Sequence, residues 1–249
     1  MNGTTLRLPS HRAVDVVPGP ALTTLPGWTL DALNVGPFRS ARGYDAHLAR
    51  TLGSTFDWGD EFRFGDDTLL LETLILKVPE RNLDRGELVA WMESPVAPGL
   101  LRLRERESFL FDGTTARHLA LDGSALLCYF EELAPTQRRY RINVAPSLDL
   151  LCDDGRYYGW MLAWPVRHLI PDTMGGPSSP SRLEDDARLV PLVLEYHQLV
   201  SDDTLDRLNA RDPTLKAALT SLRERTSPPE TLSRRALRER IDALFDTFY

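Results

Sequence analysis

The chain has 249 residues, 42% hydrophobic and 26% charged, with 29 basic and 36 acidic side chains and a formal net charge of −7. That apolar fraction belongs to an ordinary folded protein and excludes global disorder, and no apolar run approaches the ~20 residues of a membrane span. The negative balance also argues against a general nucleic-acid binder.

The first twenty residues mix Arg7, His11, Arg12 and Asp15 with prolines. They hold no continuous apolar segment of the kind a secretory signal needs, so a cytoplasmic location is expected. Lys77 and Lys216 are the only lysines against 27 arginines. An anion-recognition role is conceivable for so many planar guanidinium forks, but codon bias of a high-GC bacterial genome is the simpler reading. Cys128 and Cys152 sit in apolar strand-like runs and read as buried free thiols, with a cross-strand bridge left open.

In chain order, 44–52 is a helix candidate, with Leu48 and Leu52 one turn apart. Next comes a tandem hexapeptide, Phe56-Asp57-Trp58-Gly59-Asp60-Glu61 followed at once by Phe62-Arg63-Phe64-Gly65-Asp66-Asp67. It packs five carboxylates and one arginine into twelve residues and carries −4 of the net charge. Strands are expected at 69–78, 100–104 and 140–144, and a short helix at 84–93 capped by Asp84. Three Asp-Gly pairs, at 112–113, 122–123 and 154–155, suit two-residue type I′ turns. They predict a meander of 108–111, 114–121 and 124–130, and a later hairpin of 148–153 with 156–164. The meander register follows: Phe111 faces Thr114, Phe109 faces Ala116, Leu119 faces Leu126, and His118 faces Leu127 while approaching Glu107.

At 171–182, eight of twelve residues are Pro, Gly or Ser, which marks a linker. Beyond it the pattern turns helical: 185–200 with Pro191 near its start, a helix opened by Asp212-Pro213, and 231–248 with Leu237, Ile241, Leu244, Phe245 and Phe248 in one stripe. The expected fold is α+β: a largely antiparallel sheet over 1–170, the linker, and a helical region over 183–249. The helical region is too small to stand alone, so it should dock on the sheet.

No GxGxxG, Walker A, HExxH, CxxC or GxSxG motif occurs. His11, His47, His118, His168 and His197 show no metal-ligand spacing and read as surface or half-buried side chains. Both cysteines lie in apolar runs, where a thiol is protonated and inert.

Two segments carry the candidate sites. In the repeat, Asp57, Trp58, Asp60, Glu61, Phe64, Asp66 and Asp67 are read as an acidic, aromatic-flanked patch for a protein partner, with a basic one as the candidate that charge suggests. The same carboxylates, Asp57, Asp60, Glu61, Asp66 and Asp67, are an alternative Mg²⁺ or Ca²⁺ site of a hydrolase. The structural explanation stands beside both: Gly-acid pairs form turns, and alternating aromatics fill a core. The second segment is Tyr157–Trp164, whose alternation puts Tyr158, Trp160 and Trp164 on one strand face. That face is either core or a stacking wall for a small ligand. Arginine clusters at 138–141 and 234–240 read as solvated surfaces.

The stretch around 69–91, GDDTLLLETLILKVPERNLDRGELVAW, resembles over fewer than thirty residues the sheet region of suppressor-of-fused-like domains, and no site residue follows from it. The expected function is a non-enzymatic protein-binding role, of antitoxin, immunity or adaptor type, with no cofactor. The metal-dependent hydrolase and the small-ligand binder are the alternatives.

Overall fold

A computed structural model describes residues 4–9, 12–38, 40–55, 59–136, 138–171, 187–227 and 231–249. The order is β1 (Thr4–Arg7), β2 (Ala13–Pro18), β3 (Gly27–Trp28), β4 (Ala32–Val35), α1 (Ala41–Leu48), β5 (Thr51–Gly53), β6 (Glu61–Gly65), β7 (Leu71–Lys77), α2 (Leu88–Glu93), β8 (Val96–Leu103), β9 (Ala116–Leu119), β10 (Ala125–Tyr129), β11 (Arg139–Ala145), β12 (Leu148–Asp153), β13 (Arg156–Ala163), α3 (Val190–Leu199), α4 (Thr204–Asn209), α5 (Pro213–Arg225) and α6 (Leu232–Phe248).

The fold is α+β, as expected. An eight-stranded sheet runs β1-β2-β8-β11-β12-β13-β10-β9, and a five-stranded antiparallel sheet runs β3-β4-β7-β6-β5. The larger sheet is mixed, since β8 and β11 are parallel. It also closes on itself. β1 pairs with β2 on one side and, through Arg7 and Arg156, in parallel with the start of β13 on the other. Six strands therefore form a ring with a seam at β1 and β13. Trp28, Phe62, Phe64, Trp160, Tyr196, Leu219 and Leu237 all belong to one apolar core spanning both sheets and the helices. No helix among the described residues is long and apolar enough to cross a membrane.

Local chemistry explains the elements that were readable in the sequence. Asp154 and Gly155 both have positive φ, 48° and 74°, so they form the expected type I′ turn between β12 and β13. β9 and β10 take the expected register, Leu119 opposite Leu126 and His118 opposite Leu127. Asp212 caps α5 by accepting from the Thr214 and Leu215 amides at 2.8 and 3.3 Å, and Thr231 caps α6 through the Arg234 amide. Of the 185–200 helix, the described part is a 3₁₀ turn at Ala187–Leu189 followed by α3. The linker reading of 171–182 lies, beyond Pro171, outside the described residues. Both cysteines are buried free thiols.

The helical region is clamped to the sheets by polar contacts as well as by the shared core. Arg117 on β9 donates to the Asn82 side chain and to the carbonyls of His197 and Val200, which satisfies the otherwise open C-terminal end of α3. Arg240 on α6 pairs with Asp31 at 2.7 Å. The expectation of a solvated 234–240 face is thereby corrected at Arg240.

Other expectations need correction. The strip 108–111 forms no hairpin with 114–121. Phe109 and Phe111 instead pack against Phe64, Phe62 and Tyr157 between the two sheets, and Phe111 is fully buried there. Gly59 makes room, because a Cβ there would lie 1.9 Å from the Phe111 carbonyl oxygen. Glu107 accordingly pairs with Arg12 at 2.8 Å, and His118 approaches Asp84 at 3.8 Å. His47, His168 and His197 are buried, not surface side chains.

Candidate functional site

The structure disperses the acidic repeat. Asp57 and Trp58 lie outside the described residues. Asp60, Glu61 and Phe64 are buried, and Asp66 and Asp67 sit past the end of β6, where the Arg106 guanidinium Nε donates to Asp66 at 2.8 Å. Neighbouring strand residues point to opposite faces, which separates Asp60 from Glu61. Asp60 turns toward the 112–115 strip and accepts from the Lys77 amide at 2.7 Å. Glu61 accepts from the Tyr44 hydroxyl of α1 at 2.5 Å. The expected shared carboxylate surface is therefore not assembled from Asp60, Glu61, Asp66 and Asp67. Among the described residues no group of three or more His, Cys, Asp or Glu side chains is placed to hold a metal ion.

The aromatic face is also redistributed. Leu151 pairs with Gly159, but Cys152 pairs with Tyr157, so β13 carries an extra residue. The bulge reverses the alternation. Trp160 joins the main core with Tyr157, while Tyr158 points to the other face with Met161. Gly159 is needed there because a Cβ would meet the Cys128 carbonyl oxygen at 2.1 Å. Tyr158 is already covered: Trp91 of α2 lies against it with ring centroids 5.0 Å apart, and Tyr129 stacks beside it at 5.8 Å. Trp164 lies beyond the strand, half exposed, with Arg167 over its ring at 5.0 Å. The three rings do not share a face.

A second polar cluster resembles catalytic machinery in its residue types. His47 Nε2 is 2.7 Å from the Thr73 hydroxyl, and Arg50 donates to His47 Nδ1 at 3.1 Å. Arg63 donates to Thr51 and to the carbonyls of Leu48, Thr51 and Ser54. Burial, then Arg50 and Arg63, lower the His47 pKa to about 4, which keeps the ring neutral. These bonds tie α1 to the five-stranded sheet and use up the groups that chemistry would need.

A concave site sits at the seam. The Asp154-Gly155 turn delivers Arg156 beside the end of β1, where the Arg7 amide donates to the Gly155 carbonyl at 2.8 Å. Arg7 and Arg156 are direct cross-strand partners, so their side chains share a face. Both line a cleft of about 530 Å³. Its lining combines Arg7, Leu8, Pro9, Arg156 and Tyr157 with a second stretch of chain, Asp112, Gly113, Thr115, Phe130, Glu132 and Leu133, which adjoins the first where Phe130 meets Tyr157. The second stretch is held together by Thr115, which accepts from the Glu131 amide at 2.8 Å and donates to Glu132 at 3.3 Å. Neither arginine forms an ion pair or a side-chain hydrogen bond with a described residue.

Two buried polar groups lie behind the cleft. Asp60 sits under Gly113, where an added Cβ would stand 3.4 Å from Asp60 Oδ1. Its carboxyl ties the end of β7 to the 112–115 strip through the Lys77 and Thr114 amides, while Oδ2 has no partner among the described residues. Burial raises its pKa to about 7 against the pull of those amides. The Tyr157 hydroxyl is likewise buried without a partner, and burial together with the nearby Asp60 keeps it protonated.

Sequence reasoning missed Arg7, Arg156, Asp112 and Glu132. The Asp-Gly turn was a signal for Arg156 as a strand start, but nothing local ties it to Arg7. No protein-family model matches the chain, and no curated protein matches it.

Proposed function

We propose that this chain is a non-enzymatic binding protein and that the seam cleft is its binding site, with Arg7 and Arg156 receiving an anionic group. One observation carries the reading. Two guanidiniums stand as direct cross-strand partners at a cleft, with no carboxylate among the described residues paired to either. Two exposed guanidiniums in register on one sheet face can meet the same anion. Two adjacent planar forks suit a carboxylate or phosphate, each able to take paired hydrogen bonds. The apolar rings and side chains of Leu8, Phe130, Leu133 and Tyr157 suit a ligand with an apolar body.

A carboxylate on an apolar body is offered both by a free small molecule and by the C-terminus of a partner protein. Titration with 3-phenylpropionate and phenyl phosphate, beside an apolar peptide fused through its N-terminus to a carrier protein, separates the two sources. Binding of either kind, lost in Arg7→Ala and Arg156→Ala and weakened by salt, supports the reading. Binding that both alanine variants retain in full overturns it, as does no binding of any probe. The acidic repeat is not offered as the contact surface, because its central residues lie inside the fold.

A further inference from the structure

We propose that the seam is a clasp worked by the ligand: the ring parts between β1 and the Asp154-Gly155 turn when the cleft is empty and closes when one anion meets Arg7 and Arg156 together. The inference rests on the anion-binding reading and adds what binding does to the fold. β1 pairs with β2 along its whole length, Thr4 to Arg7 against Val16 to Ala13, but with β13 only at Arg7 and Arg156. That pairing includes the Arg7 amide, which donates to the Gly155 carbonyl at 2.8 Å. A strand edge joined at one residue opens more readily than one zipped along its length, because local opening costs only the contacts it breaks.

Each side of the seam is braced away from the other. Arg104 donates to the Thr5 hydroxyl and, through Nε at 2.8 Å, to Asp15, which fastens β1 to β2. Across the seam, Asp153 at the end of β12 accepts from the amide and the hydroxyl of Thr136, both at 2.8 Å, which fastens the hairpin tip towards β11. The bulge in β13 lies just inside that tip, where the ladder register is already broken. Leu6 and Leu8 are buried on either side of Arg7, so the parting is local and leaves both braces and the core in place. The one pair that spans the seam carries two exposed guanidiniums in register, with no described residue bridging them. A carboxylate or phosphate has oxygens for both forks, so a bound anion supplies the cross-link that the backbone pairing lacks.

The test is amide hydrogen exchange of the full chain, followed by NMR, with and without whichever anionic probe named above binds most tightly. Two neighbouring amides are compared: that of Arg7 crosses the seam, and that of Leu8 donates to the Arg12 carbonyl at 2.9 Å on the β2 side. Corrected for intrinsic rates, the Arg7 amide of the free chain is expected to exchange roughly tenfold or more faster than the Leu8 amide. Probe at about 100 times its Kd should slow the Arg7 amide by up to about a hundredfold, because a ligand that needs the closed seam favours it in proportion to its concentration over Kd. In Arg156→Ala the same probe concentration should leave the Arg7 amide fast. If Arg7 and Leu8 are equally protected in the free chain, or if the probe binds and the Arg7 rate does not change, the clasp is overturned and the anion-binding reading stands. If Arg156→Ala shows the slowing of the native chain, or if no probe binds, both are overturned.

Discussion

Arginines do opposite work at the helix docking site and at the seam. Arg117 is buried, and its guanidinium meets the Asn82 side chain and the carbonyls of His197 and Val200. Arg63 is spent in the same way on Leu48, Thr51 and Ser54. Arg7 and Arg156 face each other at a cleft with no such partners. One residue type, drawn from one composition bias, is in one place a clamp for backbone ends and in the other a charge held ready. The difference lies in what each guanidinium has been given to bind. Carbonyls at the end of a helix need donors and use them permanently. A cross-strand pair of cations suits an anion, and no described residue supplies one.

That contrast can be broken directly. Arg117→Met keeps the aliphatic stem but leaves the Asn82 side-chain oxygen and the Val200 carbonyl without their Arg117 donor, while the His197 carbonyl keeps the Asn82 amide. It should cost about 3 to 5 kcal/mol, read as a lower urea midpoint, because each such group costs ~1–3 kcal/mol. A midpoint that does not move would mean the clamp is dispensable.

The next effect concerns Asp60, which holds the cleft wall from behind. Its raised pKa means that the folded state binds the proton more tightly than the unfolded chain. Its contribution therefore weakens stability as pH rises from about 4 to about 7. His47 and His168 slope the other way: both are lowered by burial to about 4, so their contribution is lost as pH falls from about 6.5 to about 4. Asp60→Asn keeps the Oδ1 acceptor and removes the first slope. Relative to the native chain, the variant should gain stability toward pH 8, by at most about 4 kcal/mol, and should show an unmasked loss on acidification. Urea midpoints of both proteins at pH 4 to 8 check this; parallel profiles would exclude a proton on buried Asp60.

The smallest effect on stability sharpens the comparison most. Arg7→Ala and Arg156→Ala each relieve a like-charge pair, so thermal unfolding should shift by no more than about 0.5 kcal/mol. The same variants should abolish binding of 3-phenylpropionate. A large stability loss would class these arginines with Arg117, as structural clamps, and remove the ground for the binding site.

Much of the fold was legible from short-range chemistry. The Asp154-Gly155 turn, the β9–β10 register and the caps at Asp212 and Thr231 each depend on a few neighbouring residues, and each formed as read. The Asp112-Gly113 hairpin had the same local signature and did not form; Phe109 and Phe111 are drawn into aromatic contacts between the sheets instead. Parity along β13 failed at one residue, where the bulge beside Gly159 sends Tyr158 and Trp160 to opposite faces. The candidate sites fared worst. The carboxylate-rich repeat drew attention through its charge, but charge density along a chain says nothing about burial, and Asp60 and Glu61 lie inside.

The sequence by itself determined the α+β class, the Asp154-Gly155 turn, the starts of α5 and α6 and the α6 apolar stripe, because these follow from backbone geometry and the side chains of near neighbours; the helix expected at 84–93 instead begins at Leu88, after Glu87 and not after an Asp84 cap. Only the tertiary structure decided which charges are used up and which are left over. Arg7 and Arg156 are 149 positions apart, and they meet only because the six-stranded ring closes there. The −7 of the whole chain therefore says little about the proposed site, where two cations unpaired among the described residues are brought together by long-range pairing.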